Sequence, residues 1–263
     1  MKNSKSFSTE AWLEDTFLSA TQLEVCRALF LDQTTHLELV VIDLPRLDAE
    51  LRHQDQLLAC AYLDSAEQGR LASFGFAKRR LEWLGGRIAA KKAAIPLLSN
   101  RHYSLGSLDL RIEADPQGRP YLRCPAAKGA SLPGLSISHS GSYAGGLAVR
   151  GQGCGLDLQK ITPRVIKVRG YFATDAELAT ISASQPGLSE AAVLSLIWSA
   201  KEAFRKAIAS QPLVGFNELT LLGVVGDVPS GMIGYFSCPR LTSAQLPAFL
   251  TIRDDFACAI TVS

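Results

Sequence analysis

Residues 197–206 read Ile-Trp-Ser-Ala-Lys-Glu-Ala-Phe-Arg-Lys, a run filled with strong helix formers. Glu202 and Lys206 stand four apart and share a helix face. Asp157 lies 45 residues before Glu202, inside the apolar run Gly155-Leu156-Asp157-Leu158. Side chains alternate along a strand, so Asp157 and Gln159 share one face and the two leucines the other. A carboxylate in an apolar strand is costly unless it is paired or holds a metal. Taken singly, each piece has a plain reading. Glu202 with Lys206 is a surface pair of about 0.2–0.5 kcal/mol, and Asp157 is a strand-end acid. Taken together, two acids on separate elements with lysines beside one of them suit a divalent cation and a phosphorylated ligand.

Outward from this pair, the chain alternates helical and strand-like stretches. Residues 1–36 form a helical N-terminal extension, with Trp12, Leu13, Phe17 and Leu23 as its apolar positions. Leu37–Leu44 is the first strand. Residues 51–74 and 76–98 carry helical spacing. Strands follow at 108–112, 135–139, 143–149 and 154–158, with a turn at Asp115-Pro116-Gln117-Gly118. Helices return at 175–182 and 189–209, then strands at 219–225, 231–237, 249–252 and 256–262. The repeated order of helices then strands predicts an α+β fold of two pseudo-symmetric lobes, 37–150 and 151–263. The similarity of the halves is one of element order, with no residue-level repeat evident.

Composition narrows the class. The chain has 263 residues, 47% hydrophobic and 20% charged, with a net charge of +2. That is enough length for a real core and too little charge to make nucleic acid the partner. Six scattered cysteines without a CxxC pair argue against a zinc site or disulfide framework. The N-terminus lacks the apolar core of a signal peptide, and no stretch reaches the roughly 20 apolar residues of a membrane span. A soluble, cytoplasmic protein is expected.

Three further segments could meet anions. Ser136-Ile137-Ser138-His139-Ser140-Gly141 runs a strand into a glycine turn. It does not fit a nucleophile elbow, but Ser138 and His139 could contact phosphate. Arg119 sits in Gly118-Arg119-Pro120, a stiff loop. Arg80 and Arg87, seven apart in a basic helix, fall on nearly one face and could clamp a phosphate.

With these segments in order, the chain resembles the 4′-phosphopantetheinyl transferases of the surfactin-synthetase-activating type. The resemblance rests on KRRLEWLGGR (78–87), GRP (118–120), SISHSG (136–141), GLDLQK (155–160) and WSAKEAFRK (198–206). It runs from about Leu37 to Val262. It implies coenzyme A bound between two α+β lobes of a monomer. It further implies transfer of phosphopantetheine to a serine of an apo acyl or peptidyl carrier protein, with release of adenosine 3′,5′-bisphosphate. Carried over, Asp157 and Glu202 ligate Mg²⁺, Lys206 steadies the phosphates, and Ser138, His139 and Arg119 contact them. Arg80 and Arg87 suit the 3′-phosphate. The serine proton passes to Glu202 or to a metal-bound water. Gln159 stands where many members carry another acid, so it offers the metal an amide oxygen without charge. That departure motivates an alternative, a coenzyme A or carrier-protein binding module without turnover. An accessory acid falls on Glu177 or Asp175.

Overall fold

The computed structural model describes residues 10–14, 17–30, 36–99, 105–127, 131–208 and 212–263. The first strand, β1 (Leu37–Asp43), ends on an aspartate that caps the next helix: its Oδ1 accepts from the Arg46 N–H at 2.9 Å. The helix expected over 51–74 is two helices. α2 (Leu44–Tyr62) starts earlier than expected. It stops where Asp64 accepts from the Ala66 and Glu67 N–H groups and opens α3 (Ser65–Ala72). A capping box of that kind resets the chain direction. The basic helix α4 (Ala77–Leu98) follows as expected.

A short hairpin comes next, β2 (Arg111–Ala114) with β3 (Pro120–Arg123). β3 went unpredicted because it has only four residues and begins on proline, which suits an edge strand. Then come β4 (Gly134–Ser140), β5 (Tyr143–Val149), β6 (Cys154–Lys160), α5 (Asp175–Ser184) and α6 (Glu190–Ala207). The C-terminal strands are β7 (Thr220–Val225), β8 (Met232–Cys238), β9 (Thr242–Arg253) and β10 (Phe256–Val262). β9 is far longer than the expected 249–252, since only its C-terminal half is buried. Before the hairpin strand β2, Ser107–Asp109 is a 3-10 turn rather than strand.

Two antiparallel sheets result, with orders β1-β5-β4 and β6-β10-β9-β8-β7. α4 lies on the outer face of the first and α6 on the outer face of the second. The inner faces share one core, where Leu147 and Val149 of β5 meet Leu156 and Leu158 of β6 and Ile260 of β10. The layers are therefore helix, sheet, sheet, helix, an α+β architecture.

The N-terminal extension is helical only at α1 (Ala20–Phe30) among its described residues. Trp12 packs edge-on against Tyr62, and Leu13 bridges to Ile42 of β1. α1 lies instead on β9 and β10, where the Gln22 amide donates to Thr251 Oγ1 and to the Pro229 carbonyl, both at 2.9 Å. Phe17, Leu18 and Cys26 enter the core between the sheets. The extension thus spans both halves.

A residue-level repeat, which the sequence did not reveal, emerges in the buried ion pairs. Glu67 is the third residue of α3, and its carboxylate takes the Lys91 ammonium and the Ile112 N–H, while Lys91 also donates to the Tyr62 carbonyl. Glu177 is the third residue of α5, and takes the Lys201 ammonium at 2.7 Å and the Leu221 N–H at 2.9 Å; Lys201 donates to the Phe172 carbonyl. Tyr62, Asp64, Glu67 and Lys91 return as Phe172, Thr174, Glu177 and Lys201, every one 110 positions on. All four pair members are at most 4% exposed. Burial lowers the pKa of both lysines, and the facing glutamates oppose it.

Candidate active site

β6 presents Gly155 and Asp157 toward α6. A Cβ on Gly155 would stand 1.8 Å from the Ala203 carbonyl oxygen, so only glycine lets the helix lie this close. The close approach brings Lys206 onto Asp157. Its Nζ is 2.8 Å from Asp157 Oδ1 and 2.8 Å from the Leu156 carbonyl. Lys206 therefore bridges to the strand rather than to Glu202, its neighbour one turn back. Glu202 instead pairs with Arg205 at 2.9 Å, and that guanidinium lies over the Phe216 ring and donates to the Val214 carbonyl.

Asp157 is 7% exposed. Its Oδ1 takes a second hydrogen bond, from Ser138 Oγ at 3.1 Å. Its Oδ2 is buried and has no hydrogen-bond partner among the described residues. A bare buried carboxylate oxygen is costly, and such an atom in a folded protein is met by water, an ion or a ligand. Gln159 shares the Asp157 face, is half-buried, and donates its amide to the Lys160 carbonyl.

Beside this cluster runs a groove of about 260 Å³, lined by Arg119, Ser136, Glu202, Arg205 and Lys206. Across Gly118, Pro120 and Ile137 it adjoins a second hollow of about 240 Å³, lined by Arg79, Glu82, Trp83, Arg87 and His139. The two form one cleft between α4 and α6, with β4 and the Gly118–Pro120 loop as its floor and wall. Cations cluster at both ends. Burial holds the His139 pKa below its ordinary value. Glu82, 3.8 Å away, opposes that shift, while Arg79, Lys206 and Lys78 reinforce it.

Most of the sequence-predicted residues converge here, with some exceptions. Arg119 lines the groove, but its guanidinium donates to the Ile208 carbonyl at 2.6 Å, just past the end of α6. Arg87 lies over the Trp83 ring, 4.8 Å from its centroid, with a buried Nε that has no hydrogen-bond partner among the described residues. It lines the second hollow together with Arg79. Arg80 is exposed and lines a different groove with Asp48, Arg52 and Leu81, so the two arginines expected to clamp one phosphate line different hollows. Glu177 is locked in its buried pair, and Asp175 is exposed beside Arg169, so neither acid reaches the cleft. Ser138 and His139, expected to act together, point opposite ways along β4, as strand alternation requires. Sequence reasoning overlooked Arg79 and Arg205. It also overlooked the period-two serines of β4, whose even spacing was visible in SISHS.

Comparison with known proteins adds a partial likeness. Residues 153–261 match the 4′-phosphopantetheinyl transferase superfamily. No curated protein matches the chain significantly. Among solved structures, a holo-(acyl-carrier-protein) synthase from Bacillus anthracis in complex with CoA (3′,5′-ADP) is 24% identical. That alignment covers 43% of this chain and 93% of that one, with a TM-score of 0.36. The Helicobacter pylori synthase in complex with coenzyme A is 17% identical, over 43% and 97%, with a TM-score of 0.36. The Plasmodium yoelii synthase is 20% identical, over 45% and 97%, with a TM-score of 0.38. Asp157, Gln159, Glu202 and Lys206 all fall inside the segment that matches the superfamily.

Proposed function

We propose that this chain moves 4′-phosphopantetheine from coenzyme A to a serine of an apo acyl or peptidyl carrier protein, releasing adenosine 3′,5′-bisphosphate. The observation that carries the reading is the unpartnered Asp157 Oδ2, buried beside Lys206 at the edge of a cationic cleft. The superfamily match over the segment that holds it points the same way.

The donors suit Mg²⁺. Among the described residues no cluster of three or more His, Cys, Asp or Glu could cage a cation. A cation here would rest on Asp157 and Glu202, with the Gln159 amide oxygen as a neutral third donor. Mg²⁺ habitually binds through one or two carboxylates and leaves its other positions to phosphate and water. When bound, it would supply positive charge to the diphosphate oxygens.

The chain's own groups do the remaining work. Lys206 and the cleft arginines hold the anionic ligand in line, which is most of what phosphoryl-type transfer needs. The carrier serine oxygen forms the new bond to phosphorus as the phosphoanhydride bond breaks. In this reading the serine proton passes to Glu202, which lines the groove and pairs with Arg205. The two halves furnish opposite walls, and we assign residues 37–150 and 151–263 to them, each acting within a monomeric, cytoplasmic enzyme.

Incubating the chain with an apo carrier protein, Mg²⁺ and a fluorescent coenzyme A analogue should label the carrier, with a mass gain matching phosphopantetheine when coenzyme A itself is used. Asp157→Ala and Glu202→Ala should each abolish labelling. Near wild-type labelling by both variants would sink the assignment. Tight coenzyme A binding with no transfer at millimolar Mg²⁺ would favour a binding module instead.

A further inference from the structure

β4 and β6 are edge strands of different sheets and share no backbone ladder. Three serines of β4 join them instead. Ser136 Oγ accepts from the Leu156 N–H at 2.9 Å, Ser138 Oγ from the Leu158 N–H at 3.0 Å, and Ser140 Oγ from the Lys160 N–H at 2.9 Å. Each hydroxyl stands in for a strand carbonyl, at matching two-residue steps on both strands. A serine that accepts in this way still has its own proton to give. Ser138 alone gives it to a carboxylate, Asp157 Oδ1. With the Lys206 ammonium on the same oxygen, Oδ1 is filled and Oδ2 is left bare.

We infer that Ser138 is a positioning residue for Asp157. It fixes the carboxylate rotation so that Oδ2 faces the cation site, and it is not a phosphate contact. The hydroxyl is 5% exposed as part of its residue and both its hydrogen-bonding roles are taken within the protein. The inference rests on the proposed metal-dependent reaction, and Ser140 supplies its internal control. Ser140 shares the ladder role and lacks the carboxylate.

The test is direct Mn²⁺ binding to the full chain with coenzyme A present, read by electron paramagnetic resonance. Coenzyme A affinity is measured separately by calorimetry in chelator. Ser138→Ala should weaken Mn²⁺ about tenfold, as loss of an outer hydrogen bond to a ligand typically does, with coenzyme A affinity in chelator unchanged. Ser138→Thr, which keeps the hydroxyl, should restore it. Ser140→Ala, which removes a ladder hydroxyl outside the groove lining, should leave Mn²⁺ affinity at the wild-type level. Lost coenzyme A affinity in chelator with Mn²⁺ affinity intact would overturn the inference in favour of a phosphate contact. Equal Mn²⁺ losses in the Ser138→Ala and Ser140→Ala variants would reduce the ladder to scaffolding. A wild-type chain that binds no Mn²⁺ and labels no carrier would sink the underlying function itself, whereas wild-type binding unaffected by Ser138→Ala would sink only the serine's role.

Discussion

Gly155 shows how much one missing atom can position. Its absent side chain lets the Ala203 carbonyl close on β6, and Lys206 reaches Asp157 only because of that contact. Gly155→Ala must push α6 outward. Overpacking of that sort costs about 1–3 kcal/mol, so the thermal midpoint should fall. Carrier labelling should fall much further, because the lysine and both acids change spacing together. Wild-type labelling by a folded Gly155→Ala chain would show that the helix approach is not needed. His139 gives a second reading at this scale. Its ring is held neutral at pH 7 by burial and by the cations Arg79, Lys206 and Lys78, against Glu82. A base whose folded pKa is depressed binds its proton more readily once unfolded. Stability should therefore be full above pH 6.5 and decline as the pH falls below it. An NMR titration of the imidazole should give a midpoint under 6.5, and His139→Gln should flatten the stability profile below that pH.

Among the elements, the two buried glutamate–lysine pairs tie each short helix to its long neighbour and to the next strand. Removing one partner of a buried pair strands the other charge, at a cost of about 3–5 kcal/mol. Lys91→Met and Lys201→Met should each lower the urea midpoint by a similar amount, although only Lys201 adjoins a proposed active-site residue. Replacing Glu67 and Lys91 together by apolar residues should cost much less than either change alone. These pairs also mark where the sequence could be read and where it could not. The strands β4, β5, β6 and β10 and the helices α4 and α6 were legible, because period-two and helical spacing is local. The break at Leu63-Asp64 was not, since one capping aspartate outweighs a helical pattern that continues across it. The identity of Glu177 was equally hidden. A glutamate three residues into a helix reads alike whether it caps and pairs internally or faces a cleft. Asp157, Glu202 and Lys206 were legible as a set through their spacing, but the partner of Lys206 was set by sheet–helix packing, which no local pattern encodes. Arg80 and Arg87 show the converse: helix phase sets them seven apart on nearly one face, yet Arg87 lies over the Trp83 ring and Arg80 lines another groove.

At the scale of the whole molecule, the N-terminal extension acts as a strap across both halves. Truncation of residues 1–30 withdraws Phe17 and Leu18 from the shared core, together with the Gln22 and Glu10 contacts. At about 1.5–3 kcal/mol for each large apolar side chain, the unfolding midpoint should drop markedly. An unchanged midpoint would mean the strap merely lies on the surface. Gln22→Ala, a milder change, should lower it slightly without exposing the core.

The repeat gives that strap a meaning beyond stability. β1 pairs with β5 as β6 pairs with β10, so Val40, fourth in its strand, corresponds to Asp157, and Lys92 corresponds to Glu202. By the same pairing, Thr251 of β9 corresponds to Ser138 of β4. Val40 and Lys92 line a hollow of about 140 Å³ together with Leu13, Phe17 and Leu18 of the strap. Lys92 is held there by Glu10, and Thr251 by Gln22. The two halves thus carry corresponding positions, Val40 and Lys92 in one and Asp157 and Glu202 in the other, and the strap lies against the first pair alone among the described residues. Symmetric parts thereby yield an asymmetric molecule, with acids at one position and the strap's apolar side chains at the other.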